Sequence, residues 1–134
     1  MNSFQRAFMT VIACLCFSVT AFAQTWPQRA IKVIAPYPPG GPSDIVIRTV
    51  SDKVQAALKQ AVIIENIPGA GGNIGSAAAA RAPADGYTWL ITTDTVMTVN
   101  PHVYKSMGFK LEDLKPVSIL TSFSQPWFAI RHWA

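Results

Sequence analysis

The chain has 134 residues, of which 50% are hydrophobic and 13% charged, with a formal net charge of +4. That length suits one domain and is short for two, and so apolar a chain is not a long disordered segment. The cations stand singly along the chain, so no nucleic-acid stripe or polybasic membrane patch is expected.

Arg6 is the only charge before Arg29, and it is followed by an apolar run from Ala7 to Phe17. Ala21-Phe22-Ala23 then forms an A-x-A cleavage pattern, so residues 1–23 read as a secretory signal peptide. A transmembrane anchor is the alternative, but Ala7 to Ala23 only reaches the lower limit for a bilayer span and includes Thr and Ser. Lipoprotein processing at Cys14 fits loosely. Both cysteines, Cys14 and Cys16, lie inside this segment. A mature chain of residues 24–134 would therefore carry no disulfide, thiolate zinc site or cysteine nucleophile, and its expected destination is the periplasm.

After Pro27, Ile31 to Ala35 (IKVIA) is short and β-branched, as in a strand buried on both faces. Tyr37-Pro38-Pro39-Gly40-Gly41-Pro42 is a turn. Ser43 to about Gln60 reads as an amphipathic helix capped by Ser43, with Val46, Val50, Val54 and Leu58 as its apolar stripe. Val62 to Ile64 reads as a second buried strand ending at Glu65-Asn66. A second glycine turn, Ile67 to Asn73, precedes a small alanine-rich helix over Ile74 to Ala82. Tyr87 to Thr93 reads as the third strand. Asp94 to Gly108 reads as a loop with a short helix interrupted by Pro101, and Leu111 to Leu114 as one helical turn. Further strands are expected at Pro116 to Leu120 and Trp127 to Ile130, with a bend at Pro126. The alternation predicts an α/β fold with a mostly parallel sheet and helices on its faces. Right-handed crossovers then bring both glycine turns to the carboxyl ends of their strands, where open α/β sheets bind ligands.

At the first turn, Gly40, Gly41 and Ser43 lead into a helix whose opening amides favour an anion. Two readings fit: capture of a carboxylate by backbone amides and the Ser43 hydroxyl, or a tight turn that simply needs glycine and a cap. Asp44 is equally open, either meeting a ligand amine or complementing the helix dipole. The second turn is neither G-x-G-x-x-G nor a G-K-[ST] phosphate loop. Its Gly71, Gly72 and Gly75 suit a sharp turn and close helix–sheet packing, with anion binding the less supported alternative. Thr92, Thr93 and Thr95 offer hydroxyls to a polar ligand, or just begin a loop. His102 and His132 have no metal-ligating neighbours at usable spacing, and Ser43 lacks the G-x-S-x-G context of an elbow nucleophile.

Tyr37 to Asp44 (YPPGGPSD), Glu65 to Gly75 (ENIPGAGGNIG) and Asp85 to Thr88 (DGYT) form an ordered set, continued by NPHVY from Asn100 and LKPVS from Leu114. This set resembles the receptors of tripartite tricarboxylate transporters, the Bug family, over about Trp26 to Ile130. The resemblance implies an α/β lobe of the type II periplasmic-binding-protein kind, one of two that close on a small carboxylate and deliver it to membrane transporter subunits. It implies a monomer with no catalysis, metal, cofactor or nucleic-acid partner. Carboxylate binding carries onto Gly40, Gly41 and Ser43, with Tyr37 and Asp44 as wall residues and Thr93 and Thr95 further round the cleft.

Family members are much longer. This chain therefore reads as the leading part of the first lobe, expected to bind weakly or not at all, with an uncovered sheet edge where a later strand would return. The tail Arg131 to Ala134 does not continue the family pattern, as after a frameshift or premature stop. The competing functions are a small enzyme holding a phosphorylated cofactor and a non-catalytic envelope interaction protein.

Overall fold

The computed structural model describes residues 26–122. The signal peptide expected over 1–23, the strand expected at 127–130 and His132 lie outside the described residues. Three parallel strands form the sheet: β1 (Ile31–Ala35), β2 (Val62–Asn66) and β3 (Thr88–Leu90), in the order β2-β1-β3. Register pairs Val33 with Ile64 on one side and with Trp89 on the other. Because side chains alternate along each strand, Val33, Ala35, Val62, Ile64 and Trp89 share one face. Helix α1 (Pro42–Leu58) buries Ile47 against Val33 and Ala35 there, with Val62, Ile64, Trp89 and Ile91 packed around them. The chain then reverses direction across β1, so a right-handed crossover carries α2 (Asn73–Ala80) to the opposite face. Ala77 is buried on α2, and Ile34 is buried on that face of β1.

β1 is central and buried except at Lys32. β2 was expected to be buried, but it lies at the sheet edge, with Ile63 57% exposed. The reason is the strand order: α2 packs on β1 and β3, leaving the outer part of its face open. Lys32 and Glu65 form a salt bridge on that open face. β3 is shorter than Tyr87 to Thr93, although the Ile91 amide still donates to Ile34 O at 3.1 Å.

The face of α1 is also shifted. Asp44, Ile47 and Ser51 are its buried residues, and the Val46–Val50–Val54–Leu58 stripe flanks them half-buried. Polar side chains at two of the three innermost positions moved the apparent stripe round the helix.

Two short helices, α3 (Thr95–Thr98) and α4 (Asn100–Val103), follow β3, with Pro101 in the first turn of α4, where its missing N–H costs nothing. Leu111–Asp113 is a single 3-10 turn. The strand expected at Pro116 to Leu120 does not form; Val117 is 96% and Ile119 87% exposed. An isolated segment leaves its backbone groups to water, and among the described residues no neighbouring strand pairs with it.

Candidate carboxylate site at the strand ends

β1 runs outward to β2 on one side and to β3 on the other, so the crevice between the ends of β1 and β3 is the topological switch point of the sheet. Tyr37 stands two residues beyond β1, half-buried, and its hydroxyl spans this crevice. It shares hydrogen bonds with Thr93 Oγ1 at 2.5 Å and Thr92 Oγ1 at 3.3 Å. Thr93 Oγ1 in turn pairs with Thr95 Oγ1 at 3.0 Å. Three of the sequence-predicted residues, Tyr37, Thr93 and Thr95, thus form one hydroxyl chain along the crevice.

The first turn begins α1 differently from expectation. Gly41 occupies the cap position, Pro42 the first helical position, and no side chain caps the helix. Proline is well suited there because the first amide has no intrahelical partner and its φ is already helical. Ser43 is therefore the second helical residue, two positions past the cap, and does not cap the helix. The first intrahelical bond runs from the Ile45 amide to Gly41 O at 3.1 Å. The Ser43 and Asp44 amides precede that ladder, and no hydrogen bond from them is present among the described residues.

Gly40 and Asp44 are brought to each other. The Gly40 amide donates to Asp44 Oδ2 at 2.9 Å, so it is an occupied donor. Arg48 Nε donates to Asp44 Oδ2 at 2.8 Å, and Arg48 Nη2 to Asp44 Oδ1 at 3.3 Å. Asn66, at the end of β2, donates through Nδ2 to Asp44 Oδ1 at 3.1 Å and to Tyr37 O at 3.0 Å. Asp44 is 3% exposed. The Arg48 guanidinium first, then the Gly40 amide and the Asn66 amide, hold its carboxyl well below the usual carboxylate range, outweighing desolvation. Asp44 raises Arg48 in return.

The second turn closes over the same crevice. Gly72 is buried with φ +93°, and a Cβ there would meet Val96 Cγ2 at 3.0 Å and Tyr37 Oη at 3.3 Å. Gly75 sits against Ile67 O and Pro36, where a Cβ would come within 2.7 and 2.8 Å. Close packing is thus what the second glycine set serves. Asn100, buried under α4, ties this turn down through Nδ2 to Gly71 O at 3.0 Å and Asn73 Oδ1 at 2.8 Å.

Sequence reasoning missed Arg48 and Asn66. Arg48 was findable, since it stands four residues after Asp44, a standard helical ion-pair spacing. Asn66 reaches the site through the sheet register, which no local pattern announces. Among the described residues no group of three or more His, Cys, Asp or Glu side chains is placed to hold a metal ion, and no helix is long and apolar enough to cross a membrane.

A parallel α/β sheet with hydroxyls converging at its switch point has the layout of doubly wound folds, in which ligands bind at that crevice. Residues 46–129 match the model of the tripartite tricarboxylate transporter family receptors. The chain belongs to that family. Protein BugT of Bordetella pertussis is 42% identical over 100 residues, which cover 73% of this chain and 31% of BugT. A UPF0065 protein of the same organism is 39% identical over 82% of this chain and 34% of its own length. Among solved structures, the periplasmic binding protein BugD superposes with a TM-score of 0.60 at 36% identity, covering 63% of this chain and 28% of BugD. An R. palustris protein solved with adipate gives 0.61 at 34% identity, with the same two coverages. This chain spans about a third of the length of the curated relatives it matches.

Proposed function

We propose that this chain is the leading part of the first α/β lobe of a periplasmic receptor that captures small carboxylates for uptake by a membrane transporter, and that it performs no catalysis. Residues 1–23 act as a cleaved export signal and residues 24–134 form that part of the lobe. The observation that carries this reading is the hydroxyl chain of Tyr37, Thr93 and Thr95 at the switch point, with the glycine turn from Tyr37 leading into the start of α1. Helix-start amides attract an anion without reference to the rest of its structure, and hydroxyls suit a carboxylate oxygen or the water bridging to it. Gly41 lets a ligand approach, having only Pro38 O within 4 Å of a Cβ position. Gly40 and Asp44 shape the turn.

Family membership and the adipate in one solved relative support carboxylates as the ligand class. A receptor encloses its ligand between lobes, whereas a single lobe supplies one wall. Binding by residues 24–134 tested by themselves is therefore expected to be weak, with a Kd above about 1 mM, equivalent to no more than ~4 kcal/mol. Titration calorimetry with adipate and with AMP separates the candidates. Weak adipate binding with no response to AMP agrees with the proposal. Tight AMP binding would replace it with a nucleotide-dependent activity.

A further inference from the structure

We infer that Asp44, Arg48 and Asn66 are positioning residues, which lock the Tyr37–Gly41 loop into its open shape while the guanidinium cancels the charge that Asp44 would otherwise set against an incoming carboxylate. This rests on the carboxylate reading of the same site. The loop needs such a lock because packing does not supply one. Gly40 has φ +84° with nothing within 4 Å of a Cβ position, Gly41 has a single neighbour at 3.8 Å, and Pro38, Pro39 and Gly40 are exposed. What holds the loop is polar. Asp44 Oδ2 accepts from the Gly40 amide, and Asn66 Nδ2 donates to Tyr37 O. One buried carboxylate and one amide therefore fasten the far end and the near end of the loop to α1 and to β2.

The bonds also use the acceptor capacity of Asp44. Each oxygen receives two donors, one of them from Arg48 in each case, which fills the four lone-pair positions of a carboxylate. No acceptor is left for a ligand amine, so the group acts on the ligand only through shape and charge. Its charge matters because it lies in the first turn of α1, where the ligand carboxylate would also sit, and two like charges at such range oppose each other. Arg48 removes that opposition with a bidentate pair. Around Asp44 the loop adds the neutral Gly40 amide and β2 the neutral Asn66 amide. Lys32 and Glu65 pair with each other on the opposite sheet face, and Asp52 acts on Arg48 from one turn further along α1.

The test uses the full chain and has one arm without ligand and one with adipate. In the first, amide hydrogen exchange at Gly40 is expected to be slowed at least about tenfold relative to an unstructured peptide, and to lose that protection in Asp44→Ala. In the second, Arg48→Gln is expected to weaken adipate about fivefold, as for an uncompensated charge near a partly exposed site. Arg48→Lys restores most of that loss, and so does adding Asp44→Asn to Arg48→Gln, because the double variant has no charge left to cancel. A Gly40 amide that exchanges freely, or equally in wild type and Asp44→Ala, overturns the lock whatever adipate does. Arg48→Gln binding like wild type, or a double variant as weak as Arg48→Gln, overturns the charge-cancelling role. Protected Gly40 with no adipate bound by wild type removes the carboxylate reading and the task assigned to the lock, and leaves a signature distinct from failure of the lock itself.

Discussion

The two glycine turns look alike in sequence, and each leads from a strand end into a helix, yet they are built on opposite principles. The first, from Tyr37 to Asp44, is open: space surrounds Gly40 and Gly41, and polar bonds from Asp44 and Asn66 hold the loop. The second, from Ile67 to Gly75, is closed: Gly69, Gly71, Gly72 and Gly75 each have a neighbour within about 3 Å of a Cβ position. In the first turn glycine keeps side chains away from a surface that a ligand approaches, and in the second it lets the backbone of α2 settle on Pro36 and Ile67. A glycine-rich turn therefore signals a binding site only where its glycines face empty space, and packing where they do not.

Substitutions sharpen or break this contrast. Gly75→Ala is expected to have the largest effect, since its new methyl meets the backbone at Ile67 O and Pro36 Cα. Overpacking of this kind costs ~1–3 kcal/mol, readable as a lowered midpoint in thermal unfolding. Asp44→Ala comes next, because it removes the polar lock and leaves Arg48 and Asn66 without their shared acceptor; its midpoint should fall as well, with the loss concentrated in loop exchange at Gly40.

The same carboxylate sets an acid dependence. The folded Asp44 is held below its ordinary value of 3.8. Its contribution is therefore fully present above that pH and is lost as the pH falls below it toward the folded value. The midpoint advantage of wild type over Asp44→Asn should be constant near neutrality and shrink once the pH drops under 3.8. An advantage that persists unchanged at lower pH contradicts the charged network.

Smaller still is Tyr37→Phe, which deletes the bond to Thr93 and should cost about 0.5–1.5 kcal/mol while leaving the Gly40 lock intact. Smallest is Gly41→Ala. Its φ of −79° and ψ of 170° are extended backbone that alanine adopts freely, so its stability change should stay within about 0.5 kcal/mol. If Gly41→Ala destabilises as much as Gly75→Ala, the two turns are not different in kind.

Much of the architecture was legible in the residues. IKVIA suits a buried strand, and β1 is the most enclosed strand of the sheet. The periodicity of α1 placed the helix, but the buried line ran through Asp44 and Ser51, which hydropathy counts as outward-facing. Burial of Asp44 depends on Asn66, 22 positions away, and is settled by register rather than by any local pattern. The exposure of Ile63 has the same origin, because a β-branched run does not reveal whether its strand is central or at an edge. Pro116 to Leu120 has strand-like residues and no strand, since pairing needs a neighbour that composition cannot provide. At the site, Tyr37, Thr93 and Thr95 were visible as polar residues at strand ends, and their joining into one chain follows from β1 and β3 lying side by side.

The central claim is that the opening amides of α1 receive a carboxylate, and adipate titrated into the nitrogen-15-labelled chain tests it most directly. Saturable shifts at the amides of Gly41, Ser43 and Asp44, with those of Gly71 to Gly75 unmoved, are the predicted result. Shifts centred on the second turn, or none at Ser43 and Asp44 while adipate binds, would contradict the account.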